Sequence, residues 1–206
     1  DTLSLHDALP IFAKELNVSR GSVREALLVL ARRRLIEIYP RRGAVVSDMS
    51  AHQVRGLYEV VSIFLQLLVR KAADNWRQQD MDAFNQQLQR LRTLADTQDT
   101  ESFHEASFEL FRMTYRFSVN PYIEDVMEDL QPSVRRSYYM ALHIDRRELE
   151  EAYGLLKGIV ESIQVRRSDQ AAAYVGDFCL HQRNLVLDAL IRVKQIEVAW
   201  AQRYRR

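Results

Sequence analysis

Apolar residues recur along most of this chain at the 3.6-residue spacing of amphipathic helices, and strand-like alternation is confined to one short stretch. Residues 12–16 read as a short helical piece and Asn17-Val18-Ser19 as a polar break. Residues 21–33 read as a second helix, with Val23, Ala26, Leu27 and Leu30 on one face. The texture then changes: Leu35-Ile36-Glu37-Ile38-Tyr39 and Ala44-Val45-Val46 have strand character and flank the turn-forming Pro40-Arg41-Arg42-Gly43, which predicts a two-stranded hairpin. Residues 47–50 form a polar linker, and Ser50 with Gln53 makes a capping box for a helix starting at residue 51.

From residue 51 onward the pattern is helical throughout. A long helix over 51–76 is apolar on more than one face through Tyr58 to Leu65, as a central element would be. Asp80 caps a helix reaching residue 96, with Phe84, Leu88, Leu91 and Leu94 as its stripe, and another covers 101–117. Asn120-Pro121 opens a helix over 122–142 that Pro132 should kink or split. Asp145 with Glu148 opens the next, to residue 166, and Ser168 or Asp169 starts the last, through Leu190 and beyond. Short connections between six or seven such helices predict an antiparallel bundle.

Composition narrows the class. With 206 residues, 47% apolar, 28% charged and 9% aromatic, the chain has the make-up of one or two water-soluble globular domains, which excludes a disordered tail and a membrane span. Cys179 stands alone, so neither an internal disulfide nor a thiolate metal cluster is available, and no leader-like segment opens the chain; a cytoplasmic protein without a membrane partner is expected. The net charge of +1 hides an asymmetry: residues 14–46 hold eight Lys/Arg against three acidic residues, whereas residues 49–206 hold 21 against 22. A basic head on a neutral body suggests a polyanion-binding module joined to something else.

Residues 1–11, DTLSLHDALPI, follow no helical or strand period and resemble the conceptual translation of sequencing-adapter DNA. They read as a non-native segment in front of a truncated reading frame, with a variable native N-terminus as the alternative.

Helix, tight turn, helix and basic-tipped hairpin make a winged helix-turn-helix over residues 12–47. The second helix presents Ser19, Arg20, Ser22 and Arg24 at its N-terminal end, where free N–H groups favour a phosphate and arginine can fork onto guanine in the major groove. Arg41, Arg42 and Gly43 at the hairpin tip can reach the DNA backbone or a minor groove. The run FAKELNVSRGSVREALLVLARRRLIEIYPRRGAVV resembles the DNA-binding domain of the GntR superfamily of bacterial transcription regulators, with its V-S-R-x-x-V-R-E-A-L signature and its P-x-R-G wing. The resemblance implies DNA contacts from Ser19, Arg20, Gly21, Ser22 and Arg24; Gly21 stands where a threonine-like residue is usual, and the family's first helix would precede residue 1, leaving the head incomplete.

Residues 51–200 are similar, more loosely, to the helical FCD domain of the FadR branch, which binds a small effector and dimerises. The similarity rests on LYEV at 57–60 and FRMTYRFSVNPYI at 111–123. Many members hold a divalent metal through one aspartate and three histidines; those positions fall here on Ser107, on Phe111, near residues 156–158 and on His181, so the resemblance implies no metal site and no cofactor. His104 and His143 read as surface or capping residues. The arginine that usually follows LYEV is Val61. Phe111-Arg112 in place of F-H is similar to fatty-acyl-CoA-responsive members, and Phe111, Arg112, Tyr115, Arg135, Tyr138, Tyr139 and His181 are candidates for a pocket that is apolar inside and basic at its mouth, suited to a fatty-acyl or organic-acid effector.

The fold class expected is therefore mostly α, an incomplete winged helix-turn-helix followed by an FCD-like bundle. The function expected is a homodimeric regulator whose affinity for a double-stranded DNA operator responds to a small effector. An enzyme is not expected, since no nucleophile-base-orienter set, phosphate-cradling glycine loop or evident carboxylate pair is present. The competing expectation is a helical ligand-binding or interaction protein whose truncated head no longer binds DNA.

Overall fold

A computed structural model describes residues 11, 13–39, 43–139, 141 and 146–203, with 197–203 described by their backbone. The non-native segment expected at 1–11 lies outside the described residues except for residue 11.

The head is built on one well-capped helix. Asn17 takes a left-handed conformation, φ 53°, and turns the chain into Ser19. Ser19 is extended (φ −71°, ψ 153°) and its Oγ accepts the Ser22 N–H at 3.0 Å, which starts α1 (Arg20–Arg32). Arg34, at φ 57°, ends it, and Leu35 N–H returns to Leu30 O at 3.0 Å. The predicted hairpin comes next: β1 (Ile36–Tyr39) pairs antiparallel with β2 (Gly43–Val46), Ile36 opposite Val46 and Tyr39 opposite Gly43. Gly43 is buried at φ 90°, a conformation that a side chain would strain.

Among the described residues the body is a bundle of six helices: α2 (Ala51–Asn75), α3 (Gln78–Asp96), α4 (Thr100–Tyr115), α5 (Pro121–Tyr139), α6 (Arg146–Gln164) and α7 (Ser168–Arg203). α2 runs along α7, α6 lies on α7, α3 bridges α4 and α6, and α5 closes over α2. Phe84, Phe103, Leu68, Leu91, Leu110 and Leu149 are fully enclosed where these helices meet.

The helix starts obey their local chemistry. The capping box of α2 forms as expected, Gln53 N–H to Ser50 Oγ at 3.2 Å and Ser50 N–H to Gln53 Oε1 at 2.8 Å. Asp80 is not the cap of α3 but sits three residues in, its carboxylate accepting Arg77 N–H at 2.7 Å, so that helix begins earlier than the sequence suggests. Asn120 Oδ1 accepts Tyr122 N–H at 3.1 Å, with Pro121 as the first residue of α5. Pro132 lies inside an α5 that does not split, and its ring removes one donor from the middle of that helix. Asp145 and His143 lie outside the described residues. Among the described residues, no helix is long and apolar enough to cross a membrane.

Candidate functional site

The head places its candidate DNA contacts in water. Ser19, Arg20, Ser22 and Arg24 are all exposed, and Arg20 and Arg24, one turn apart, share a face of α1. The Ser19 and Ser22 hydroxyls lie 2.8 Å apart, and the first turn carries no acidic residue, so no carboxylate in that turn offsets the positive end of the helix. Gly43 stands at the start of the returning strand; Arg41 and Arg42 lie outside the described residues. One expectation needs correction. Of the apolar face read from the sequence only Val23 is buried, while Ala26 is exposed and Leu30 joins Leu28 and Val29 as an exposed apolar strip.

A cavity of about 60 Å³ opens in the body between α2, α4, α5 and α7. Phe111, Arg112, Tyr115 and Tyr138, all expected there, do line it, together with Val61, Phe178 and Gln182. The Phe111 and Phe178 rings meet at 5.5 Å, and Arg112 stays exposed at the mouth. Burial pushes the Tyr115 phenol up to about 12, above its ordinary value, and likewise the Cys179 thiol in the cavity wall, to about 12, although Ser62 opposes the latter. By a measure in which one water takes about 10–15 Å³, this space holds about four to six waters, little room for an acyl chain.

Three expected pocket residues lie elsewhere. Arg135 and Tyr139 face a separate crevice of about 10 Å³ on the far side of His104 and Tyr138, where Arg135 pairs with Glu105 and lies 5.4 Å over the Phe108 ring, while Tyr139 donates to Glu101 at 3.1 Å. His181 turns out of the cavity altogether, with Nε2 3.6 Å from Glu148 and Nδ1 3.6 Å from Glu151. Its neighbour Gln182 takes the place on the cavity wall. His104, read from the sequence as a surface or capping residue, is buried at 4% exposure against Phe103 and Tyr138. Desolvation, with the nearby His181 adding to it, holds its imidazole well below the usual histidine range.

The metal set that the FCD resemblance implies does not fit these residues. Ser107 spends its hydroxyl on Phe103 O at 2.8 Å, and Phe111 offers no donor atom. Residues 156–158, Leu-Lys-Gly, offer no histidine, and at Gly158 an added Cβ would meet the Tyr174 ring at 2.7 Å. Glu148, Glu151 and His181 do bring one ligand atom each within 4.8 Å of one another, the one such group among the described residues. Each ring nitrogen of His181 stands 3.6 Å from a carboxylate oxygen, and Nε2 makes no hydrogen bond.

A larger cleft of about 530 Å³ separates head from body, and α5 forms the partition. Leu130 of α5 lines both the cleft and the cavity. On the head side, Asp129 pairs with Arg33 at 3.1 Å, Ser133 Oγ donates to Arg33 O at 3.1 Å, and Arg136 donates to Ser47 O.

Among the described residues, a helix-and-hairpin head is carried on a six-helix body with an internal cavity. Residues 57–178 match the FCD domain model, so the chain belongs to the FCD-domain family. It is 28% identical over 145 residues to the HTH-type transcriptional repressor RspR of Escherichia coli (strain K12), a match covering 68% of this chain and 64% of that protein; the chain thus spans just under two thirds of the curated relatives it matches. Among solved structures, E. coli McbR/YncC is similar with a TM-score of 0.76 at 18% identity, covering 87% of this chain and 85% of that one. A GntR-type regulator from Rhodococcus sp. RHA1 is similar at 0.69 and 17%, covering 87% and 86%. At such identities the neighbours establish the fold.

Proposed function

We propose that the chain binds a double-stranded DNA operator as a homodimer and that a small molecule in the bundle cavity modulates this binding, without catalysis. Arg20 and Arg24, with Ser19 and Ser22, approach the major groove and its phosphates, and Arg41, Arg42 and Gly43 supply the wing contact. The carrying observation is the solvent-facing pair Arg20 and Arg24 at the acid-free N-terminus of α1. Two heads related by a dyad match a palindromic site.

Occupancy of the cavity reaches the head through α5. Its inner face (Met127, Leu130, Val134, Tyr138) lines the cavity, and its outer face (Asp129, Ser133, Arg136) holds Arg33 and the linker. A ligand that moves α5 therefore changes which head pose is favoured, by as much as its affinities for the two poses differ. The size of the cavity favours a compact effector over the acyl chain suggested by the Phe111-Arg112 pair.

Electrophoretic and salt-titrated binding to DNA flanking the chain's own gene tests the proposal, with Arg20→Ala as the control for the head. Retarded DNA that Arg20→Ala releases is the expected result; equal affinity of both proteins would refute it. The exposed strip Leu28, Val29 and Leu30 favours a second reading, a ligand-binding body whose head does not grip DNA unaided. In that case the same DNA is retarded only when the head carries additional N-terminal residues that cover the strip.

A further inference from the structure

Three polar side chains are sealed into the cavity wall with atoms that meet no partner. Gln182 of α7 is 3% exposed and neither its Nε2 nor its Oε1 has a hydrogen bond; His104 of α4, 4% exposed, leaves Nε2 unpaired; Tyr138 of α5, 6% exposed, leaves its hydroxyl unpaired. All three line the same cavity. Native proteins satisfy nearly all buried polar groups, and each exception calls for a reason. Two other hydroxyls in this wall are satisfied from within, Tyr58 with Ser137 at 3.2 Å and Ser107 with Phe103 O at 2.8 Å. Within the wall, the deficit therefore falls on three helices that converge on one space.

The charge of the wall limits what can fill it. Among the described residues no aspartate, glutamate or lysine lines the cavity, Arg112 is exposed at its mouth, and Val61 is apolar. An ionised carboxylate brought inside would leave water for a wall without a cation in its depth, a transfer that is strongly unfavourable. A carboxamide side chain with both ends free pairs best with a group that presents a carbonyl beside an N–H, because donor and acceptor are then answered together. The remaining donors and acceptors on His104 and Tyr138 suit further polar edges, and Phe111 and Phe178 suit an apolar ring or short chain.

We infer that the cavity binds a small uncharged ligand bearing a cis amide edge, of the lactam or primary carboxamide class, held by Gln182 without any metal. This rests on the reading of the cavity as the effector site and names the chemistry of that effector.

The test titrates the full chain by NMR with γ-butyrolactam, with cyclopentanone, which keeps the shape and carbonyl but lacks the N–H, and with butyrate. The lactam is expected to bind about tenfold more tightly than either, the difference one well-placed hydrogen bond makes. Equal binding of the lactam and the ketone, preference for butyrate, or no binding of the lactam each overturns the inference, and none of these depends on a variant. In Gln182→Met the lactam should lose its advantage while the unliganded protein melts at a higher temperature, since an unpaired amide has been replaced by an apolar group of similar size. A lower melting temperature with the advantage retained shows that Gln182 is not the recognising group. Lactam binding that leaves operator affinity unchanged would instead count against the regulatory reading and leave the ligand class intact.

Discussion

The head keeps its working groups in water, and the body keeps its own out of it. Arg20 and Arg24 stand solvated on a capped helix, and in the proposed function they act on a polyanion through charge, which reaches about 8 Å at physiological salt and tolerates imperfect placement. Gln182, His104 and Tyr138 are enclosed with side-chain atoms that no protein group pairs, each a deficit of about 1–3 kcal/mol until water or a polar ligand meets it. On the proposed function, the contrast separates two kinds of recognition in one chain: attraction that salt can switch off, and complementarity that salt hardly touches.

The largest perturbation belongs to the body. Phe84 is fully buried, and Phe84→Ala should cost about 3–5 kcal/mol in chemical denaturation, with the salt dependence of DNA binding by the folded fraction unaltered. Arg20→Ala or Arg24→Ala should do the reverse: operator affinity falls by about 1–3 kcal/mol, and the log-log salt slope flattens by about 0.9 for each phosphate no longer neutralised, while melting is unchanged. A steep slope retained in both variants would erase the contrast on the head side.

Acid sharpens the comparison further. His104 resists protonation when folded, so below its ordinary value of 6.5 the unfolded chain binds a proton that the folded chain refuses. Stability is fully present above that pH and declines as pH falls, by up to about 1.4 kcal/mol per unit. His104→Phe should flatten this acid limb in pH-dependent melts; an unchanged limb would assign it to other groups. Ser50→Ala removes the α2 cap and should lower stability by about 1 kcal/mol. Smallest is Asp129→Ala, whose exposed pair with Arg33 is worth about 0.2–1 kcal/mol. Its expected signature is a weakened link between ligand binding and DNA binding, measured by titrating each in the presence of the other.

The elements are legible in the sequence because their signals are local. Ser50 with Gln53, Asn120 with Pro121, and the strand pair around Gly43 each declare themselves within a few residues. The cavity is harder to read because its wall depends on rotation about helix axes, where one position is about 100°. The sequence points to His181 for the wall and Gln182 stands there, one residue on. Arg135 and Tyr139 flank Tyr138 on its helix, but only Tyr138 reaches the cavity among the three. His104 reads as exposed because histidine is more often exposed than enclosed, and no spacing rule marks an exception. Loss of the metal set can be read directly, residue by residue, at Ser107, at Phe111 and across residues 156–158.

Cys179, the chain's single thiol, is 4% exposed in the cavity wall, and burial keeps it protonated. Since thiolate is the species that reacts, enclosure and protonation together slow its modification by an alkylating reagent, and opening of the bundle speeds it. The rate of that modification is therefore a built-in gauge of breathing in the bundle, readable by mass without introducing a label.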